Sequence, residues 1–196
     1  CRRILEFVAD LLGTLKIDDW KQEILIRVAG RRIENFRDLS IIDGQGKEVT
    51  AAVPRTILRS FVNDPVVQQA LQGKIAYSRV HFDKLNVPTM FMAAPIRRMG
   101  QVVGAVWVHF ELKHVWEVLE RIRPNEQSLA YLVDQDERAL PRYGITLSTM
   151  AVPPNEIDLR GINLNENPIS WEITHQGHEM LATALRIPET GWTLVL

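Results

Sequence analysis

Three runs rich in β-branched, aromatic and methionine residues, in quick succession, constrain this chain more than any other feature. Between Ala76 and Leu112 it reads AYSRVHFD, then TMFMAAPI, then QVVGAVWVHFEL. The first two runs are separated by Lys84-Leu85-Asn86-Val87-Pro88 and the last two by Arg97-Arg98-Met99-Gly100. Such runs bounded by turn residues predict strands. Three of them on short connections predict an antiparallel meander. We read this meander as the back wall of a small-molecule pocket, which the rest of the chain supports.

The flanking sequence supplies helices and a hairpin. Ile4, Leu5, Val8, Leu11, Leu12 and Leu15 recur at helical spacing, and Trp20, Ile24, Val28 and Phe36 continue the stripe beyond Asp18-Asp19. This predicts one long amphipathic helix, or two in tandem, with the stripe facing the core. Gly13 and Gly30 weaken it without forbidding it. DLSIIDGQGKEV then predicts a hairpin, because Asp43-Gly44 is a strong short-range turn signal. Pro54 to Gly73 predicts helix, broken at Asn63-Asp64-Pro65. HVWEVLERI, ending before Pro124, predicts a connecting helix.

The second half repeats the first in miniature. AYLVD echoes LSIID, with Asp134 standing 91 residues after Asp43. Gly177 to Ile187 and GWTLVL echo the last two meander strands, with Gly191 standing 87 residues after Gly104. Near-constant spacing predicts a duplicated module. The stretch from Pro141 to Asn167 reads as loop, and His175 and His178 as residues of a hairpin turn. The predicted class is α+β: a long N-terminal helical region (1–37), a first module (38–112), a connecting helix (113–127) and a smaller second module (128–196).

Composition narrows the function. The formal net charge of -1 gives no footprint for nucleic acid or an anionic membrane surface. Cys1 is the single cysteine, so neither an intramolecular disulfide nor a multi-cysteine zinc site is available. No apolar run approaches the roughly 18 to 20 residues of a membrane span. No phosphate loop, nucleophile elbow or metalloprotease helix is present, so catalysis finds no support and no cofactor is predicted. The sequence opens within a helical pattern and stops inside the strand WTLVL, so it reads as an excised domain.

Five motifs in order carry a family resemblance: LSIIDGQGKEV, AAPI followed by GQVVGAVWVHFEL, HVWEVLERI, AYLVDQDERAL and LATALRIPETGWTLVL. Together they span the chain and resemble the double-Cache fold, two PAS-like modules in tandem on one long helix. The resemblance implies an extracytoplasmic sensor domain of a bacterial or archaeal transmembrane receptor. A histidine kinase is favoured on family prevalence; a chemoreceptor or cyclic-dinucleotide enzyme is the alternative. It implies membrane spans flanking the chain, a ligand in the first, membrane-distal module, and a homodimer through the helix. In one subgroup an Arg, Trp-Tyr, Tyr-x-Asp and Asp set binds amino acids. Here Gln72-Gly-Lys-Ile-Ala76 offers no counterpart to the Arg and Trp-Tyr, Tyr-x-Asp falls at His81 and Asp83, and the last Asp falls at His109.

Strand alternation places Tyr77, Arg79, His81 and Asp83 on one face of the first run, and Trp107 and His109 on one face of the third. These six are the predicted ligand-binding residues. They offer a guanidinium, two imidazoles, a phenol and an indole, the sparse polar groups and aromatic walls of a ligand site. Arg79 and Asp83 fit a solvated face equally well. His81, Asp83 and His109 also match a two-histidine, one-carboxylate set, without local spacing to support a metal. Met90, Met92 and Met99 read as core filler. A ligand-free interaction module is the rival reading, and it predicts side chains filling the first module's interior.

Overall fold

The computed structural model describes residues 2–14, 19–32, 36–84, 87–122, 128, 130–134, 140, 168–175, 178–188 and 190–196. The predicted loop at 141–167, the Asp18 cap and the end of the connecting helix at 123–127 lie outside them. The chain divides into two compact units, Cys1–Leu112 and Lys113–Leu196.

The first unit holds helices α1 (Arg2–Thr14), α2 (Asp19–Arg32) and α3 (Pro65–Leu71) and strands β1 (Phe36–Asp43), β2 (Glu48–Ala51), β3 (Ala76–Tyr77), β4 (His81–Phe82), β5 (Pro88–Arg98) and β6 (Gln101–Glu111). They form one antiparallel sheet in the order β2-β1-β6-β5-β3, with β4 also on β5. Antiparallel register puts opposite residues on the same face. One face carries Leu39, Ile41, Met90, Met92, Ala94, Val106 and Val108, all buried. Helix α2 packs against β1 and β2, and α1 against β5 and β6. The other face carries Ile42, Ala93, Ala105 and Trp107, which form a core with Phe61, Ala76 and the α3 residues Val66, Val67 and Ala70. Asp64 caps α3 by accepting the amides of Val66 and Val67, and Pro65 starts its first turn.

Several expectations change. Phe36 starts β1 instead of ending the helical stripe. Leu5, Val8 and Leu12 of α1 are buried, but Ile24 and Val28 of α2 are about half exposed, at 53% and 52%. The core-facing stripe therefore does not continue through α2. Residues 54–64 are not helical. Instead Glu48 donates its amide to the carbonyl of Arg59, and Phe61 donates to the carbonyl of Gly46, so this segment runs beside β2. Met99 is no core filler. It sits exposed at the tip of the β5–β6 turn with φ +50°, whereas Met90 and Met92 are buried as expected.

The second unit holds α4 (Lys113–Ile122) and strands β7 (Tyr131–Val133), β8 (Ile169–His175), β9 (His178–Ile187) and β10 (Trp192–Val195). Its sheet runs β7-β10-β9-β8, all antiparallel. The first strand pairs the last, the last pairs the one before it, and that pairs its own predecessor. The same path β1-β6-β5 followed by β3 and β4 runs through the first unit. His175 and His178 are opposite each other at the turn end of the β8–β9 hairpin, as a turn assignment requires. Val133, Ala184 and Val195 make a small core with Tyr131, Ile169 and Trp171 packed on it.

Gly13 shows why a helix breaker sits inside α1. A Cβ there would lie 2.0 Å from the carbonyl oxygen of Arg97, so the glycine lets the helix touch the end of β5. Helix propensity alone would make Gly13→Ala stabilising by about 1 kcal/mol. The close approach predicts the opposite sign, a loss of about 1–3 kcal/mol. Urea unfolding of the variant reads the sign directly, and a gain would refute the contact.

Candidate functional site

The site grows from the register of three central strands. Asp38 is opposite His109, Ser40 opposite Trp107, Phe91 opposite His109 and Ala93 opposite Trp107. All therefore share the face that carries α3. Trp107 is buried, with its ring centroid 5.0 Å from those of both Phe61 and Phe91. His109 is half-buried, 4.9 Å from the Phe91 ring and 6.0 Å from His81, whose ring lies within 20° of parallel. Trp107 Nε1 and His109 Nε2 are both buried and have no hydrogen-bond partner among the described residues.

Beside this aromatic patch lies a compact charge cluster. Glu48 is a buried carboxylate that accepts from Ser40 Oγ at 2.7 Å, from the Arg59 amide at 2.8 Å and from Arg59 Nη2 at 2.9 Å. Arg59 Nη2 also reaches Asp38 Oδ2 and Ser40 Oγ, each at 2.8 Å. Asp38 takes a second guanidinium from Arg55, and its other oxygen accepts the Leu39 amide. The Arg59 guanidinium carbon lies 4.6 Å above the Trp107 ring and 4.9 Å from that of Phe61, a cation–π arrangement.

The lower edge of the face is shaped by two irregularities. Arg37 is the extra residue of a bulge between Phe36 and Asp38, and it hydrogen-bonds both Glu111 and Asp83. Glu111 is the main reason its pKa is raised; burial opposes this and Asp83 adds to it. Between β3 and β4 the register slips by one residue, from Tyr77 opposite Met92 to His81 opposite Thr89. The hydroxyl of Ser78 fills the gap by accepting the amide of Phe91 at 2.8 Å.

That slip redistributes the predicted residues. His81, Trp107 and His109 come together on one face. Tyr77, expected beside them, is opposite Met92 and so on the other face. Arg79 falls in the interruption and is exposed. Asp83 stands at the edge, its Oδ1 accepting the Val87 amide and its Oδ2 bound to Arg37. Among the described residues no group of three His, Cys, Asp or Glu side chains is placed to hold a metal ion. Sequence reading missed Asp38, Glu48, Arg55, Arg59, Phe61 and Phe91. Asp38 and Ser40 were the available signal: two polar residues at period 2, alternating with the apolar Leu39 and Ile41. Arg55 and Arg59 stood at helical spacing and were absorbed into a predicted helix.

Two pKa directions follow from this geometry. Burial lowers that of His109, the nearby His81 and Arg37 lower it further, and Asp38 and Asp83 act weakly against them. Burial works to raise that of Glu48, but the hydrogen bonds from Arg59 and Ser40 and the charge of Arg59 outweigh it, leaving it below 4.5.

No protein-family profile matches the chain, and no curated protein matches it. Solved structures do. The ligand-binding domain of an amino acid chemoreceptor from Pseudomonas aeruginosa PAO1, in complex with GABA, is 18% identical with a TM-score of 0.70, covering 100% of this chain and 89% of that one. The sensory domain of the Campylobacter jejuni chemoreceptor Tlp3 with isoleucine bound is 13% identical with a TM-score of 0.67, covering 99% and 81%. The extracellular domain described for the histidine kinase rpHK1S-Z16 is 10% identical with a TM-score of 0.71, covering 98% and 83%. The fold is that of Cache-type extracellular sensor domains, an α+β architecture with two antiparallel sheets. Chemoreceptors and a histidine kinase share it, so fold does not separate these outputs.

Glu48 supplies the test of the charge cluster. Truncation in Glu48→Ala leaves Arg59 and Ser40 without their shared acceptor, and should cost about 3–5 kcal/mol at neutral pH. Because the folded-state pKa lies below the ordinary value, the wild-type advantage is complete above about pH 4.5 and declines as pH falls through the folded value. Denaturant unfolding from pH 7 to pH 3 should show the two proteins converging. A constant difference would show that Glu48 acts by packing alone.

Proposed function

We propose that this chain is the extracytoplasmic sensing domain of a transmembrane signal-transduction receptor, binding a small polar or anionic metabolite in its first, membrane-distal unit. The observation that carries this reading is the pair of buried nitrogens, Trp107 Nε1 and His109 Nε2, without partners among the described residues on the central strands. Buried polar atoms are almost always satisfied, and those that are not mark places where a ligand or water completes the bonding. The fold supports the reading, since chemoreceptor domains that share it are described as ligand-binding or sensory. Among outputs we favour a sensor histidine kinase over a chemoreceptor or a cyclic-dinucleotide enzyme. On this reading flanking membrane spans would provide the tether; no helix among the described residues is long and apolar enough to cross a membrane.

A thermal-shift screen of the domain against organic acids, amino acids and divalent metals tests this. A ligand at a hundredfold its Kd should stabilise the fold by about 2.7 kcal/mol. His109→Ala should fold and lose that shift, and an undiminished shift would refute the site. The rival, a ligand-free interaction module, draws on one observation: Phe61, Phe91 and Arg59 already pack around Trp107. It predicts no shift with any compound.

We further propose a homodimer through the N-terminal helices. Ile4 and Phe7 on α1 and Ile24 and Val28 on α2 expose apolar surface at helical spacing, which a second copy would cover. Sedimentation equilibrium should give twice the chain mass, reduced to one in Val28→Glu. A wild-type monomer at high micromolar concentration would overturn the dimer.

A further inference from the structure

The groups around His109 also point to the class of ligand, given the sensing role proposed above. Every carboxylate on this face among the described residues already pairs with a guanidinium. Asp38 is bound by Arg55, Arg59 and the Leu39 amide. Glu48 is bound by Arg59 and Ser40. Asp83 is bound by Arg37 and the Val87 amide, and Glu111 by Arg37. An ammonium group entering here would have to compete with a guanidinium for each of these four carboxylates.

Donors, in contrast, are in surplus. Trp107 Nε1–H can only donate, and it is buried and unpartnered among the described residues. Arg59 uses Nε and Nη2 on Asp38, Ser40 and Glu48, while Nη1 bonds none of the described residues. That guanidinium is held in place over Trp107 by its carboxylates, so its remaining N–H groups are oriented before any ligand arrives. His109 Nε2, buried beside them, becomes a third donor on protonation or in the Nε2–H tautomer.

We propose that the site takes a small carboxylate that carries no ammonium group, with Trp107 and Arg59 as the anion donors and His109 as the adjustable third. This proposal rests on the first-unit site being the ligand site. It separates the chain from the amino-acid-bound and GABA-bound domains of the same fold, whose ligands carry both charges. Anion binding next to His109 favours its protonated form, so affinity rises as pH is lowered through the range in which His109 titrates with ligand bound.

Isothermal titration calorimetry on the domain with matched pairs tests the assignment: butyrate against GABA, 3-methylbutanoate against L-valine, succinate against L-aspartate. At least one carboxylate should bind ten-fold or more tightly than its aminated partner. That binding should weaken at least ten-fold in Trp107→Phe, which keeps the ring and removes the donor. It should also weaken in Arg59→Gln, with both variants' folding checked by circular dichroism. If Arg59→Gln fails to fold, Trp107→Phe alone decides. An aminated ligand that binds equally or better, and is lost in Trp107→Phe, overturns the ligand class while leaving the site in place. A carboxylate whose affinity is unchanged in Trp107→Phe overturns the site. No binding by any of the six compounds at millimolar concentration overturns the carboxylate class, and the broader thermal-shift screen then judges the sensing role.

Discussion

A carboxylate buried beside a β-strand must find cations and donors, and in this protein that requirement organises the first unit. Glu48 stands near the start of β2 with no exposed side-chain surface. An isolated charge there would cost several kcal/mol, so the chain that follows is drawn back over it. Arg59 supplies a guanidinium, its own amide and a backbone carbonyl to Glu48, and these three bonds hold residues 59–61 alongside the strand. Phe61 is thereby delivered against Trp107, and the guanidinium above both rings. Helix α3 can begin only after this segment has been secured, at the cap provided by Asp64.

The same constraint decides what the candidate site could offer a ligand. Asp38 and Glu48 share two arginines, so the cluster is close to neutral and spends its acceptors internally. What remains outward is donor capacity, on Arg59 and on the Trp107 indole. The bulge at Arg37 acts similarly at the lower edge, since the extra residue sends its guanidinium to Asp83 and Glu111. Irregular backbone and buried charge therefore do related work. Each ties carboxylates to guanidinium groups on this face.

The parts of this arrangement that depend on local pattern were legible in the sequence. The meander, the Asp43 turn and the placing of Trp107 with His109 on one face follow from period 2 and turn chemistry, and the duplicated strand path from the near-constant spacing of the echoed motifs. Tyr77 was misplaced because one extra residue between β3 and β4 reverses the alternation, and nothing in AYSRVHFD marks where the slip falls. The hydroxyl of Ser78 can stand in for a ladder acceptor, but only the opposing amide of Phe91 shows that it does. Arg55 and Arg59 were lost for a different reason. Their spacing of four fits a helix, and the partner that prevents one, Glu48, lies upstream on another element. The α2 stripe failed because Ile24 and Val28 have the right period but no sheet beneath them.

Alternation also gives the site a physical route to the helices. On β1, Asp38 and Ser40 face the charge cluster while Leu39 and Ile41 lie buried on the other face, where α2 packs. A Cβ on Gly30 of α2 would lie 2.5 Å from that of Ala52 and 4.0 Å from that of Leu39, so helix and strand are in near-contact. A displacement of β1 large enough to improve its bonds to a ligand cannot leave Leu39 where it was. Packing this close transmits shifts instead of absorbing them. For a ligand to drive the helix it must bind one β1 position better than the other, and only by that difference. Arg59 is the residue best placed to create it, because its guanidinium already bridges Asp38 on β1 and Glu48 on β2, so a bond from its remaining N–H groups to an anion would bear on both strands.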